Sequence, residues 1–260
     1  MEETRLFERT IKVPVNLYKY RHWSNVLCKE ALTHNEVFFN SPNYFIRNID
    51  EWDCNAQFKE PSYEEVYSWY CDIIASKNMY PYFEVQLLAE QCTYSFFRKV
   101  LDPSRQRRKE MNMQRNESYG ILCLTESPCN KDIWDYYCND GVTFCMGYDT
   151  EKLLHESECH QIEKIEYIEG VPQDSNSEEF VDSFHVNFFQ KNERFTYEQE
   201  YRMVKIWPSL SIPENDSKRI AVIGDDCITG VYVRRSIPDK DLNEIIECVK
   251  DRWEIKILDI

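Results

Sequence analysis

Residues 195–206, FTYEQEYRMVKI, alternate polar and bulkier side chains in the period-2 pattern of a strand, and this constrains the fold more than any other stretch. Successive side chains of a strand point to opposite faces, so Glu198, Glu200 and Arg202 are expected on one face, with Tyr197 and Tyr201 on the other. Neighbours on that face are spaced by about 7 Å. Two carboxylates and a guanidinium held this way can bind a sugar hydroxyl, stabilise a developing cation or hold a metal. The same pattern also describes a solvated edge strand in which Glu200 only pairs with Arg202.

The elements around this strand point to an α+β protein. A first strand runs from about residue 11 to 21, with Leu17, Lys19 and Arg21 on one face and Tyr18 and Tyr20 on the other. Residues 44–55 read as a polar loop, and the capping pattern SYEE at 62–65 opens a helix. A second helical region from about 82 to 113 is interrupted at Pro103. Strands are expected over 119–125, 142–149, 162–168, 219–223, 227–234 and 254–258, with an amphipathic helix over 238–252. The Asn139-Asp140-Gly141 run is a turn signal. The expectation is one domain spanning 1–260 on a split, mainly antiparallel sheet around a cleft, with a helical insert at about 62–117.

Composition excludes several functions. A net charge of −15 argues against nonspecific binding to nucleic acid or anionic lipid, which depends on clustered Lys and Arg. The run Arg105, Arg107, Arg108 and Lys109 is read as a solvated helix face, or else as a contact for phosphate or an acidic partner. No apolar run approaches membrane-spanning length, and the opening MEETRLFERT lacks the apolar core of a signal peptide. Eleven cysteines without a CxxC pair read as reduced thiols in a cytoplasmic protein. His155, Cys159 and His160 form one loose group rather than two ligand pairs, so no metal is expected. With six glycines and no GxGxxG or GxxxxGK[ST], phosphate would have to be held by side chains.

Five separated stretches together resemble the bacterial domain-of-unknown-function family 2971. They are residues 17–21 (LYKYR), 38–42 (FFNSP) with 48–53 (NIDEWD), 120–125 (GILCLT), 133–137 (IWDYY) leading into 141–149 (GVTFCMGYD), and 191–202, which ends in TYEQEYR. That family in turn resembles a distant branch of the ADP-ribosyltransferase-like fold, in which a split sheet binds NAD across a central cleft. The resemblance implies NAD as substrate. It places Tyr18, Lys19, Tyr20 and Arg21 toward the phosphates or ribose, Trp134 or Tyr137 against a ring, and Glu200 with Glu198 as the catalytic carboxylates. The chain departs from the family pattern at Phe195, where a tryptophan often precedes the glutamates, and at 46–50, where an Asn-Asp-Pro run is usual.

The residues suit that chemistry. Cleaving the nicotinamide–ribose bond builds an oxocarbenium-like cation, as in glycoside hydrolysis. Glu200 on a rigid strand can stabilise it, Glu198 can activate a water or an acceptor, and Arg202 can keep a carboxylate ionised. Arg21 can grip pyrophosphate through its fork of donors. Blander readings stand beside these: Trp134 and Tyr137 as core packing, and Arg21 as a surface arginine. Three functions follow. The first is an NAD-cleaving or ADP-ribosyl-transferring enzyme, a toxin or phage-defence effector with a protein or nucleic-acid acceptor. The second is a noncatalytic nucleotide- or protein-binding domain on the same scaffold. The third is a metal-dependent nuclease built on Glu198, Glu200 and Asp149.

Overall fold

The computed structural model describes the chain except for residues 1, 7, 8, 56, 59–61, 77, 78, 101–112, 115, 139–142, 160, 175–179 and 208–210. Of residues 2–6, 9–12, 57, 58, 65, 69, 96–100, 137, 138, 173, 174 and 180–184 it describes the backbone alone. The chain divides into two compact units, residues 58–115 and the remainder.

The larger unit is built on a seven-stranded sheet. Its strands in chain order are β1 (Asn16–His22), β2 (Tyr119–Thr125), β3 (Thr143–Asp149), β4 (Gln161–Lys164), β5 (Glu200–Ile206), β6 (Ile228–Arg234) and β7 (Ile255–Leu258). Across the sheet they run β7-β6-β3-β1-β2-β5-β4. Every pairing is antiparallel except β6 with β7. The expected α+β class with a mainly antiparallel sheet is therefore what the chain adopts. β2 and β3 read as nearly continuous apolar runs because helices and loops cover both faces of the sheet.

The centre of the sheet is unusual. β1 pairs with β3 along its whole length, but with β2 only where Tyr18 lies opposite Thr125. Two well-paired halves are thus joined at one point. Where they part, the Lys19 ammonium donates to the Cys123 carbonyl at 2.8 Å.

The two faces are packed differently. On one, Leu17, Leu122, Leu124, Phe144, Met146, Tyr148, Tyr201 and Met203 form a single large core with Leu32 of α1 (Val26–His34), Leu153 of the helix Thr150–Glu156, and Ile245 and Val249 of the helix Asp239–Val249. On the other, the apolar residues fall into two separate clusters. One gathers Phe45, Tyr119, Ile121, Phe188, Phe189 and Val204; the other gathers Tyr20, Ile133, Trp134, Cys145 and Tyr232. Between them lies a polar stripe, and the site is there.

Two local expectations are corrected. Residues 44–55 are not all loop, because Ser41 caps and Pro42 opens a helix, α2 (Pro42–Asn48). Nor does the strand begin at 195. Residues Glu193–Glu198 form a 3-10 helix started by the Asn192 side chain, which accepts from the Arg194 N–H. Gln199 ends it in the left-handed region at φ 45°, and β5 begins only at Glu200. Glu198 therefore reaches the site from a turn, not from the strand.

The smaller unit holds helices α3 (Tyr63–Ser76) and α4 (Tyr82–Val100), and the basic run 105–109 lies outside the described residues. Among the described residues no helix is long and apolar enough to cross a membrane.

Candidate functional site: a buried five-charge cluster

Register determines which side chains can meet. Glu200 lies opposite Thr125, and Thr125 opposite Tyr18, so these three form a row across one face. Arg202, opposite Cys123, projects from that same face. Tyr20 shares it by alternation along β1, whereas Lys19 and Arg21 project from the other. The structure thus brings Tyr18 and Tyr20 to the glutamate side and separates Arg21 from it.

Arg202 is the anchor of the face, with no exposed surface. Its Nε donates to Glu200 Oε1 at 2.6 Å and its Nη2 to Glu200 Oε2 at 3.2 Å, a two-pronged grip on one carboxylate. Nη2 also donates to Asp53 Oδ1 at 2.6 Å, and Nη1 to the Phe188 carbonyl at 3.0 Å and the Cys54 sulfur at 3.1 Å. A guanidinium suits the place because its fork of donors can satisfy partners from three segments at once.

Lys191 is the second cation. It comes from the short strand Gln190–Asn192, and its side chain is 5% exposed. Its Nζ donates to Glu198 Oε2 at 2.6 Å and Glu200 Oε2 at 3.0 Å, and lies 3.4 Å from Asp53 Oδ2. The Phe195 ring covers it, with 4.6 Å from Nζ to the ring centre. The Tyr167 hydroxyl accepts from the Glu200 N–H at 2.9 Å.

Three carboxylates therefore share two cations, an excess of one negative charge in a place where unbalanced charge is costly. The groups respond in opposite directions. Burial opposes ionisation of Glu200, yet the attraction of Arg202 and Lys191 more than offsets it and holds the carboxyl well below the usual range. Burial, and then the neighbouring Glu200, push Glu198 up to about 7. Lys191 is held above its ordinary range because Glu200 and Asp53 outweigh the burial that would discharge it. One proton on Glu198 neutralises the set. Its side chain keeps 27% of its surface exposed while Glu200 keeps 3%, so the carboxyl poised near neutrality is also the one nearest solvent. Two neighbouring carboxyls are thus driven in opposite directions by their surroundings.

Around the row the aromatic groups are engaged with one another. Tyr18 meets Tyr232 edge to face at 5.6 Å, and burial, with Tyr232 beside it, pushes its phenol up to about 12. A side chain at Gly147 would crowd both rings, with the Tyr18 ring 3.1 Å and the Tyr232 ring 3.2 Å from a Cβ there. The Tyr20 hydroxyl donates to the Ser127 carbonyl at 3.0 Å and accepts from the Asn130 N–H at 3.1 Å. Trp134, on α5 (Lys131–Cys138), is fully buried edge-on to Tyr20 at 5.1 Å, and its indole N–H donates to the Pro128 carbonyl at 2.8 Å. It packs the core here rather than offering a face to a ligand. Tyr137 lies on the same helix, and its side chain is outside the described residues.

On the opposite face Arg21 is 8% exposed. Its Nη2 reaches the Tyr148 hydroxyl at 3.4 Å, and its Nε has no hydrogen-bond partner. It is not a surface arginine. Asp149 caps α6 (Thr150–Glu156), where it accepts from the Lys152 N–H at 3.0 Å. Among the described residues no group of three or more His, Cys, Asp or Glu could hold a metal. His160 lies outside them.

Sequence reasoning gave no role to Asp53, Lys191 or Tyr167. Asp53 ends the NIDEWD stretch and Lys191 begins the last family stretch, so the signal was present without a geometry to interpret it.

The family model described as "Protein of unknown function (DUF2971)" matches residues 133–203, a span that contains Lys191, Glu198, Glu200 and Arg202. No match is found among the curated proteins or among the solved structures.

Proposed function

We propose that this chain, which belongs to the DUF2971 family through residues 133–203, acts on NAD, cleaving the nicotinamide–ribose bond to transfer ADP-ribose to water or to a protein or nucleic-acid acceptor. The observation that carries the reading is the proton-sharing pair itself, a Glu198 carboxyl poised near pH 7 against a Glu200 held ionised beside it. Glu200 supplies fixed negative charge where the ribosyl cation develops. Glu198 takes the proton from the attacking water or acceptor, a role worth about 10²–10⁴-fold in rate. The substrate cleft would open at the single-pair junction of β1 and β2, where Tyr18 and Thr125 sit in Glu200's row. A toxin or phage-defence role in the cytoplasm is the biological setting this chemistry suits.

A second reading is favoured by one specific observation. Both oxygens of Glu200 are already engaged by Arg202, and hardly any of the residue is exposed. In that reading the cluster is a buried clamp and the protein a noncatalytic domain that binds a nucleotide or a protein.

Incubating the protein with NAD and measuring released nicotinamide separates the two. The enzyme reading expects release that falls at least about 100-fold in Glu198→Gln, a variant that leaves Arg202 and its partners in place. NAD binding without release supports the clamp reading. Equal release from wild type and Glu198→Gln overturns the assigned role.

A further inference from the structure

We propose that Lys191 is a positioning residue, whose ammonium ties the turn 193–199 to Asp53 and Glu200 and so fixes Glu198 as the group that carries the cluster's proton. This rests on the reading of Glu198 as the proton carrier.

An ammonium has three donors, and the three nearest carboxylate oxygens belong to three different residues: Glu198 at 2.6 Å, Glu200 at 3.0 Å and Asp53 at 3.4 Å. Among the described residues the ion pairs of the Arg202 guanidinium go to Glu200 and Asp53, not to Glu198. Glu198 thus has one cation where the other two acids have two each. The least compensated carboxyl of such a set is the one that protonates. The groups facing Glu198 are Glu200 from β5, Lys191 from Gln190–Asn192, Tyr167 from the strand Glu166–Ile168, and Tyr197 from its own turn, with Asp53 and Arg202 behind.

Lys191 is also the tie that holds the turn in place. Glu198 sits just before the left-handed Gln199, outside the hydrogen-bonded ladder of β5. Its side chain is drawn onto Glu200 by a cation common to both. The near-complete burial of Lys191 beneath Phe195 keeps the ammonium from exchanging that contact for water. The arrangement is a lever with two outputs, the place of the carboxyl and its protonation.

The test is a pH titration of the Glu198 carboxyl by carbon-detected NMR in the full chain, assigned by its loss in Glu198→Gln, beside the pH profile of nicotinamide release. Wild type is expected to titrate near pH 7. Lys191→Met removes the only cation paired with Glu198 among the described residues and should move the midpoint up by about 1–3 pH units. Asp53→Asn removes a competitor for the same ammonium and should move it down. Lys191→Arg should restore most of the wild-type value. A purely structural lysine would lower stability in Lys191→Met and leave the midpoint of the folded protein where it was. If Lys191→Met does not fold, Asp53→Asn carries the test alone. A midpoint that moves in neither variant overturns the proposal. Absence of nicotinamide release from wild type with the midpoints still shifting would remove the NAD reading and leave the Lys191 assignment standing. Nicotinamide release from wild type with the midpoint unmoved in both variants would do the reverse.

Discussion

Replacing Arg202 by Met tests the electrostatic account most severely, because Met keeps an unbranched, flexible stem and carries no charge. The substitution removes three charged contacts, two to Glu200 and one to Asp53, together with the hydrogen bond to the Phe188 carbonyl. The cluster would pass from an excess of one negative charge to an excess of two, with Lys191 as its remaining cation. Deleting one partner of a buried ion pair costs about 3–5 kcal/mol. Part of that is recovered because Glu200, no longer held ionised by Arg202, can take up a proton. An expected loss of about 4 kcal/mol at pH 7 corresponds to a fall of about 8–16 °C in Tm for a unit of this size. Urea denaturation followed by near-UV circular dichroism reads the larger unit, where Trp23 is buried in the large core and Trp134 in a cluster on the opposite face. Adding Glu200→Gln to Arg202→Met should recover about half of the loss, since it removes the stranded charge. A loss below about 1 kcal/mol in the single variant, or no recovery in the double, would refute the view that the cluster is electrostatically coupled.

Stability should depend on pH through the two glutamates, with opposite signs. Glu198 binds its proton more tightly folded, at about 7, than at its ordinary 4.5, so stability falls as pH rises between those values, by at most about 3 kcal/mol. Glu200 is depressed, so its contribution is present above its ordinary value and is lost as pH falls below it. The cluster's contribution is therefore largest near pH 4.5. Urea midpoints from pH 3 to 8 should show the falling limb in wild type and a flat one in Glu198→Gln, and equal slopes would refute the assignment. Gly120→Ala should cost about 1–3 kcal/mol by overpacking, because a Cβ there falls 2.5 Å from the Trp207 ring and 2.7 Å from the Phe39 Cβ. An unchanged Tm in that variant would show that Trp207 moves aside freely.

The period-2 signal gave the right class and the right faces within each strand, and it failed wherever the answer depended on another strand. Alternation alone separated Tyr18 and Tyr20 from Lys19 and Arg21. Which pair faces Glu200 depended on Tyr18 lying opposite Thr125, a pairing across more than a hundred residues that leaves no local mark. The partners Asp53 and Arg202 are 149 positions apart, and a charge pair at that separation is invisible without the fold. Residues 195–199 misled for a different reason. Tyr and Glu alternate there as in a strand, but the Asn192 side chain nucleates a turn, and Gln199 adopts a left-handed conformation for which glutamine carries no sequence signal. Trp134 shows the limit of aromatic reasoning, since a large ring on an amphipathic helix fills a core as readily as it stacks on a ligand.

The cluster occupies ground that apolar residues could have filled. It lies on one face between two apolar clusters, and replacing a buried ionic set by well-packed hydrophobic residues is often neutral or stabilising. Joining the two halves of the face thus does not by itself require charge. A clamp designed only to hold segments together would also leave no buried acceptor idle, yet Asp53 Oδ2 has no hydrogen bond and relies on Lys191 at 3.4 Å. The odd number of charges is the more telling feature. A structural network is best served by balance, whereas here one carboxyl is left with less compensation than the others, and Glu198, the most exposed of the three, is pushed up to about 7. What the charges provide that leucines cannot is a carboxyl at a fixed place that can exchange a proton near neutral pH.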